Sequence, residues 1–282
     1  MTRRIVCALA AATALAACSS DSTGPGTGTP PPAPADLVTT SLDGAVALTW
    51  PDNAYQANPG NFLHYAVYSA SYNLDLDRCE GEFLVEGTTV APEFIAGALA
   101  NGAPRCFFVT ALGLGGAESA ESPTRSDTPR PDARNVVVYA RQAQDAGSGF
   151  RFWDDLNGDG AAQLAELGLA TSGASADADF SVERDVADNL FLAPVRAGTS
   201  VALYGAVPVE DLTSIDIAPN TGFDVTAIEA LPGWGYVFEM TEVDGFFRYG
   251  AVRVTHVGRN FLILDWAYQT DPGNPELRRV PR

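Results

Sequence analysis

The feature that most constrains the fold is a succession of short apolar runs, each broken by turn residues before it reaches the length of a helix. Ala45-Val46-Ala47-Leu48-Thr49-Trp50, the stretch 62–68, Phe83-Leu84-Val85 and the stretch 105–112 are rich in β-branched and aromatic residues. Asp43-Gly44 and Asn58-Pro59-Gly60 punctuate them. Such runs between turn signals read as strands. The pattern returns at 135–141, 150–153, 178–182, 190–194 and 200–204. It is clearest at 234–240, 246–257 and 261–269, where Asp244-Gly245 and Gly258-Arg259-Asn260 are the tight turns of a meander. A short helical stretch is expected at 161–167. The predicted class is all-β: an antiparallel sandwich over 35–130, then a β-rich domain over 134–282 that ends in the antiparallel meander. Thr128-Pro129-Arg130-Pro131-Asp132 divides them.

The first 34 residues follow different rules. Arg3 and Arg4 precede an apolar run, 5–17, too short for the about 20 residues of a spanning helix and built like a secretory signal. Its end, Leu15-Ala16-Ala17-Cys18, resembles the lipobox of bacterial lipoproteins. That resemblance implies a signal peptide over 1–17, lipid on Cys18 as the mature N-terminus, and attachment to a membrane of the cell envelope. Ser19 and Ser20, rather than Asp, follow the Cys, which in Gram-negative lipoproteins implies the outer membrane. Residues 18–34, dense in Gly, Pro, Ser and Thr, read as a disordered tether.

Loss of Arg3 and Arg4 would take the formal charge from −18 to −20. Nucleic acid, which needs cationic neutralisation, is therefore an unsuitable partner. Cys7 lies in the signal and Cys18 is the lipid site. Cys79 and Cys106 remain, and in an oxidising compartment a disulfide is their expected state.

Between 34 and 128 the residues resemble a fibronectin type III domain, an immunoglobulin-like sandwich. Pro34-Ala35-Asp36-Leu37, Val46-Ala47-Leu48-Thr49-Trp50-Pro51, Tyr65-Ala66-Val67-Tyr68, Leu99, Phe107-Phe108-Val109-Thr110-Ala111 and Gly116-Ala117-Glu118-Ser119 stand in its order. The resemblance makes Trp50 and Tyr65 core residues. Where that family has a Tyr near the start of its penultimate strand, this chain has Arg105-Cys106. The tail, from Gly235-Tyr236-Val237 through Asp244-Gly245 to Asp265-Trp266-Ala267-Tyr268-Gln269, is similar to the end of HmuY-like haem-binding lipoproteins. Haem there sits between paired His side chains; this stretch has His256 alone.

The sharpest local motif is Asp155-Leu156-Asn157-Gly158-Asp159-Gly160-Ala161-Ala162-Gln163-Leu164-Ala165-Glu166, which resembles an EF-hand calcium loop. Asp155, Asn157 and Asp159 stand where oxygen ligands belong, Ala161 where a backbone carbonyl does, Gln163 at the water-bridged position and Glu166 at the bidentate one. The alternative reading is a bare Asp-Gly turn followed by one helical turn.

No hydrolase elbow, zinc-protease helix or Gly-rich phosphate cradle is present, and His64 and His256 are isolated. The expected function is a non-catalytic binding or scaffold module of the envelope with a protein or glycan partner. A carbohydrate-binding or haem-binding lipoprotein is the alternative, with Trp234, His256 and Trp266 as candidate ligand contacts. A glycan-active hydrolase is the remote one.

Overall fold

The computed structural model describes residues 28–73, 76–242 and 244–277, so the signal-like segment and Cys18 lie outside the described residues. The protein is nearly all β. Its first half contains β1 (Val38–Leu42), β2 (Ala45–Thr49), β3 (Phe62–Asn73), β4 (Arg78–Thr89), β5 (Glu93–Ala96), β6 (Arg105–Gly113) and β7 (Arg125–Asp127). They pair antiparallel into a three-stranded sheet, β1-β2-β5, and a four-stranded sheet, β4-β3-β6-β7. Alternation sets the core, since successive strand side chains point to opposite faces. Val46 and Leu48 of β2 meet Tyr65 and Val67 of β3 and Phe107, Val109 and Ala111 of β6. Trp50 packs edge-on to Tyr65 at 5.2 Å. The Tyr65 hydroxyl donates to Asp52 Oδ1 at 2.8 Å, so the buried ring keeps a satisfied polar tip.

Residues 28–34, whose composition assigns them to the tether, instead lie against this sandwich. Pro31 and Pro34 are buried. Asn61 Nδ2 donates to Thr29 O at 2.9 Å, and Asn53 Nδ2 to Ala33 O at 2.8 Å. Proline has no N–H, so such a segment mainly needs partners for its carbonyls, and two Asn side chains supply them.

The second half contains β8 (Asp132–Tyr139), β9 (Gly149–Trp153), β10 (Leu167–Thr171), β11 (Phe180–Arg184), β12 (Leu190–Pro194), β13 (Thr199–Tyr204), β14 (Ile228–Glu229), β15 (Gly235–Thr241), β16 (Phe247–Val257) and β17 (Phe261–Tyr268). Two five-stranded sheets result, β10-β9-β11-β12-β14 and β13-β15-β16-β17-β8. The meander expected at the tail is β15-β16-β17, with β13 and β8 added at its two edges. Phe150, Phe152 and Phe180 of the first sheet pack on Tyr236, Phe238, Val252, Leu264 and Trp266 of the second. The far face of the second sheet is covered too. There Val237, Ala251 and Ala267 meet Leu212, Ile215 and Leu277.

The helix expected at 161–167 shrinks to one 3₁₀ turn, Leu164–Glu166. Leu167 leaves it at once to pair with Trp153 as the first residue of β10. A single turn is the costly nucleus of a helix without the propagation that would repay it.

The Pro-rich stretch between the halves is buried. Asp127, Thr128 and Arg130 are each 1% exposed. Arg130 N donates to Leu42 O at 3.1 Å, Gly102 N to Pro129 O at 2.8 Å and Tyr268 N to Pro131 O at 3.0 Å. Asn274 Nδ2 reaches Thr128 Oγ1 at 3.4 Å. Gly102 sits at φ +76°, and a Cβ there would stand 2.4 Å from Thr270 Oγ1. Both halves therefore close on one segment.

Candidate functional site

Beside this junction lies an open cleft of about 770 Å³, walled by both halves. Tyr72, Asn73, Glu80 and Pro104 form one wall; Phe246 and the run Asp271-Pro272-Gly273-Asn274-Pro275 form the other. The first wall is braced by the disulfide. Cys79 and Cys106 join β4 to β6, the two strands that flank β3, with Cα atoms 5.9 Å apart. Cys79 is the register partner of Tyr72 and precedes Glu80; Cys106 follows Pro104-Arg105. Tyr72 N donates to Pro104 O at 3.1 Å, and its hydroxyl donates to Asp77.

The second wall is pinned from beneath by Arg248, which is 4% exposed. Its Nη2 donates to Asp244 Oδ2 at 2.8 Å and its Nε to Thr270 O at 3.3 Å. The guanidinium lies 4.9 Å from the centre of the Trp153 ring, in cation–π geometry. Gly273 N donates to Phe247 O at 2.7 Å, tying the run 271–275 to the β15–β16 hairpin. Phe246 is held 58% exposed at the hairpin tip. The bond to Arg248 is the main influence on Asp244 and holds its carboxyl below the usual range.

A buried ionic group lies in the same sandwich. Arg196 Nε donates to Asp179 Oδ1 at 2.7 Å and Nη2 to Glu242 Oε1 at 2.8 Å. Asp179 Oδ2 accepts from Phe152 N at 2.7 Å. Burial pushes Asp179 up to about 6 despite the opposing pull of Arg196. Burial also works against the charge of Arg196, yet Asp179 and Glu242 together raise its pKa. The carboxylate of Asp179 is thus the costly charge of the group. Every member is committed to a partner, so the group organises the sandwich.

The candidate ligand contacts do not converge. Trp266 is a core residue, 5.6 Å from the Phe150 ring and 6.2 Å from that of Phe152, and it occupies the space a Cβ on Gly168 would take. Trp234 is half-buried against the same core. His256 is exposed because a register shift between Val254 and His256 turns it to the face opposite Val252 and Val254, with Phe261 its ring neighbour at 5.9 Å. Strand alternation and a core of this size draw the Trp rings inward. No shared platform or paired-His site forms from these residues.

The acidic loop closes on itself. Asp155 accepts from Gly158 N, Asp159 N and Gly160 N at 2.8, 3.1 and 3.0 Å, while Gly158 and Gly160 take φ of +73°. Asn157 Oδ1 accepts from Asp159 N at 2.9 Å and Asp159 Oδ1 from Ala161 N at 2.8 Å. Gln163 links the two ends: its Nε2 donates to Asp159 Oδ2 at 2.8 Å and its N–H to Glu166 Oε2 at 3.2 Å. The left-handed Gly160 is the turn that an oxygen-liganding loop needs at its sixth position. Among the described residues no three His, Cys, Asp or Glu side chains gather as a metal centre.

The cleft was missed because its first wall lies in the part of β3 beyond the apolar run that ends at Tyr68. Its second wall reads as an ordinary turn, Asp-Pro-Gly-Asn-Pro. The exposed Phe246 beside Asp244-Gly245 was the available signal.

Fold and site together define a pair of β-sandwiches, the first with the three-plus-four arrangement of a fibronectin type III or immunoglobulin-like domain, and a cleft at their junction. No protein-family model matches the chain, and no curated protein matches it. Among solved structures it is similar to a Fn3-like protein from Clostridium thermocellum, at 18% identity over 35% of this chain and 92% of that one, with a TM-score of 0.27. A DUF4466 family protein from Parabacteroides merdae is 12% identical over 84% of this chain and 99% of that one, with a TM-score of 0.43. The third fibronectin III domain of the human KIAA0343 protein is 17% identical over 39% of this chain and 93% of that one, with a TM-score of 0.29.

Proposed function

We propose that this chain is a lipid-anchored, non-catalytic binding module of the cell envelope, attached through Cys18, that recognises its partner in the junction cleft. The observation that carries this reading is the cleft itself. Its two walls come from different sandwiches and are fixed by a disulfide, a buried Arg and a buried connecting segment, which is the preorganisation that recognition rewards. Lipid on Cys18 would hold the cleft at the outer membrane. Two or more acyl chains, as on bacterial lipoproteins, give stable attachment where one gives marginal binding.

The loop 155–166 supports a further structural role for calcium. Asp155, Asn157, Asp159 and Glu166 side chains, the Ala161 carbonyl and Gln163 through water would hold the ion, which prefers six to eight hard oxygens. With Ca²⁺ in excess, thermal unfolding of the native chain is expected to move upward and that of Asp155→Ala to stay in place. An equal Ca²⁺-induced shift in the two proteins, or no shift in the native chain, would reduce the loop to a turn.

The anchor has a direct test in a Gram-negative host grown with a clickable palmitate analogue. The full chain should carry the label and sediment with the outer membrane, and Cys18→Ser should do neither. An unlabelled, soluble full chain would refute the anchored module.

A further inference from the structure

We propose that the junction cleft receives an extended segment of a partner protein that presents Arg or Lys side chains. This rests on the reading of the chain as a binding module and names the chemistry of its partner. Among the described residues the charged side chains that line the cleft are acidic. Glu80 and Asp271 bring carboxylates, and among the described residues no basic side chain lines it. Pro272 contributes a carbonyl and no N–H group, while the Pro104 and Pro275 carbonyls already accept from Tyr72 N and Ala218 N at 3.1 and 2.8 Å. Of the donors present, Asn274 Nδ2 is directed at Thr128 Oγ1 and Asp271 Oδ2, at 3.4 and 3.3 Å, and Tyr72 O–H at Asp77. Guanidinium and ammonium groups are donors only, so they match this lining, whereas a phosphate or carboxylate ligand would meet its own kind.

The apolar part of the cleft suits the same ligand. Tyr72 and Phe246 bring aromatic rings from opposite walls, and cations are attracted to aromatic faces. The proline rings can cover the aliphatic stem of Lys or Arg while its head reaches a carboxylate. Glu80 already meets Arg78 at 3.1 Å, but both side chains are exposed, 41% and 64%, and pairs of that kind contribute little. An incoming guanidinium can therefore replace Arg78. A cleft of about 770 Å³ falls within the about 300–1,000 Å³ of built ligand sites and exceeds what one side chain fills, so a segment of several residues fits better than an isolated cation. The formal charge of −18 steers such a partner toward this surface.

Calorimetric titration of the full chain tests this with three probes: a blocked hexapeptide alternating Arg and Ala, spermidine, and a neutral chitohexaose. The peptide should bind and should weaken at least tenfold in the pair Glu80→Gln/Asp271→Asn and in Phe246→Ser, whose exposed side chain the fold does not need. The pair Glu93→Gln/Glu121→Gln removes the same charge outside the cleft and should change affinity less than twofold. Equal losses in the two pairs would mean attraction by overall charge alone, and the proposal would fall. Tighter binding of spermidine than of peptide would overturn the choice of a protein segment. Chitohexaose bound in the cleft with the peptide silent would overturn the cationic partner yet leave the binding module standing. Silence of all three, with every variant folded, would count against both.

Discussion

At the scale of single residues, two buried charges are expected to matter most. Arg248 fastens the second wall of the cleft to Asp244, Thr270 O and the Trp153 ring at once. Arg248→Met keeps the volume but loses these links, and the lone Asp244 left behind is partly exposed. We expect a loss of about 2 kcal/mol in urea denaturation, below the ~3–5 of a fully buried broken pair. Asp179 acts through pH. Its folded value of about 6 lies above the ordinary 3.8, so the folded state holds the proton more tightly and this group's contribution is greatest below pH 4. That contribution declines as pH rises through 4 to 6, by up to about 3 kcal/mol at about 1.36 kcal/mol per pKa unit. Stability of the native chain relative to Asp179→Asn should therefore fall between pH 4 and pH 6; a difference that grows over this window would contradict the assignment.

At the scale of elements, the disulfide and the strands around it set the first wall. Cys79 and Cys106 lie 27 residues apart, and a loop of that size gives about 3–4 kcal/mol on the chain-entropy model. Cys79→Ala/Cys106→Ala should lower the urea midpoint accordingly, and an unchanged midpoint would show that β3, β4 and β6 hold the wall unaided. Much of this level was legible from sequence. The apolar runs at 45–50, 62–68 and 105–112 became β2 (which stops one residue short, at Thr49), most of β3 and β6, and the tail meander is β15-β16-β17 with ends shifted by one residue. Period-two alternation with turn pairs survives in three dimensions because it states which face each residue buries. What was illegible depends on pairing. β5, β7 and β14 are two to four residues long and owe their form to neighbouring strands. Trp266 reads the same on paper whether it faces the core or solvent; only its place opposite Val252 in the sheet, beside Phe150 and Gly168, settles that it is inside.

At the scale of the whole molecule, a Pro-rich stretch reads as a boundary, and composition alone does not reveal that both halves bury it. Leu42, Gly102, Pro129, Pro131 and Tyr268 exchange backbone hydrogen bonds across the segment, and Asn274 adds a side-chain bond to Thr128. A cleft with one wall in each sandwich keeps its shape only while that lock holds. Differential scanning calorimetry of the full chain tests this most directly. A single transition with equal calorimetric and van't Hoff enthalpies is expected, and Gly102→Val, whose side chain would strike Thr270, should split it in two. Two separate transitions in the native chain would contradict the account, because the walls of the cleft would then belong to independent bodies.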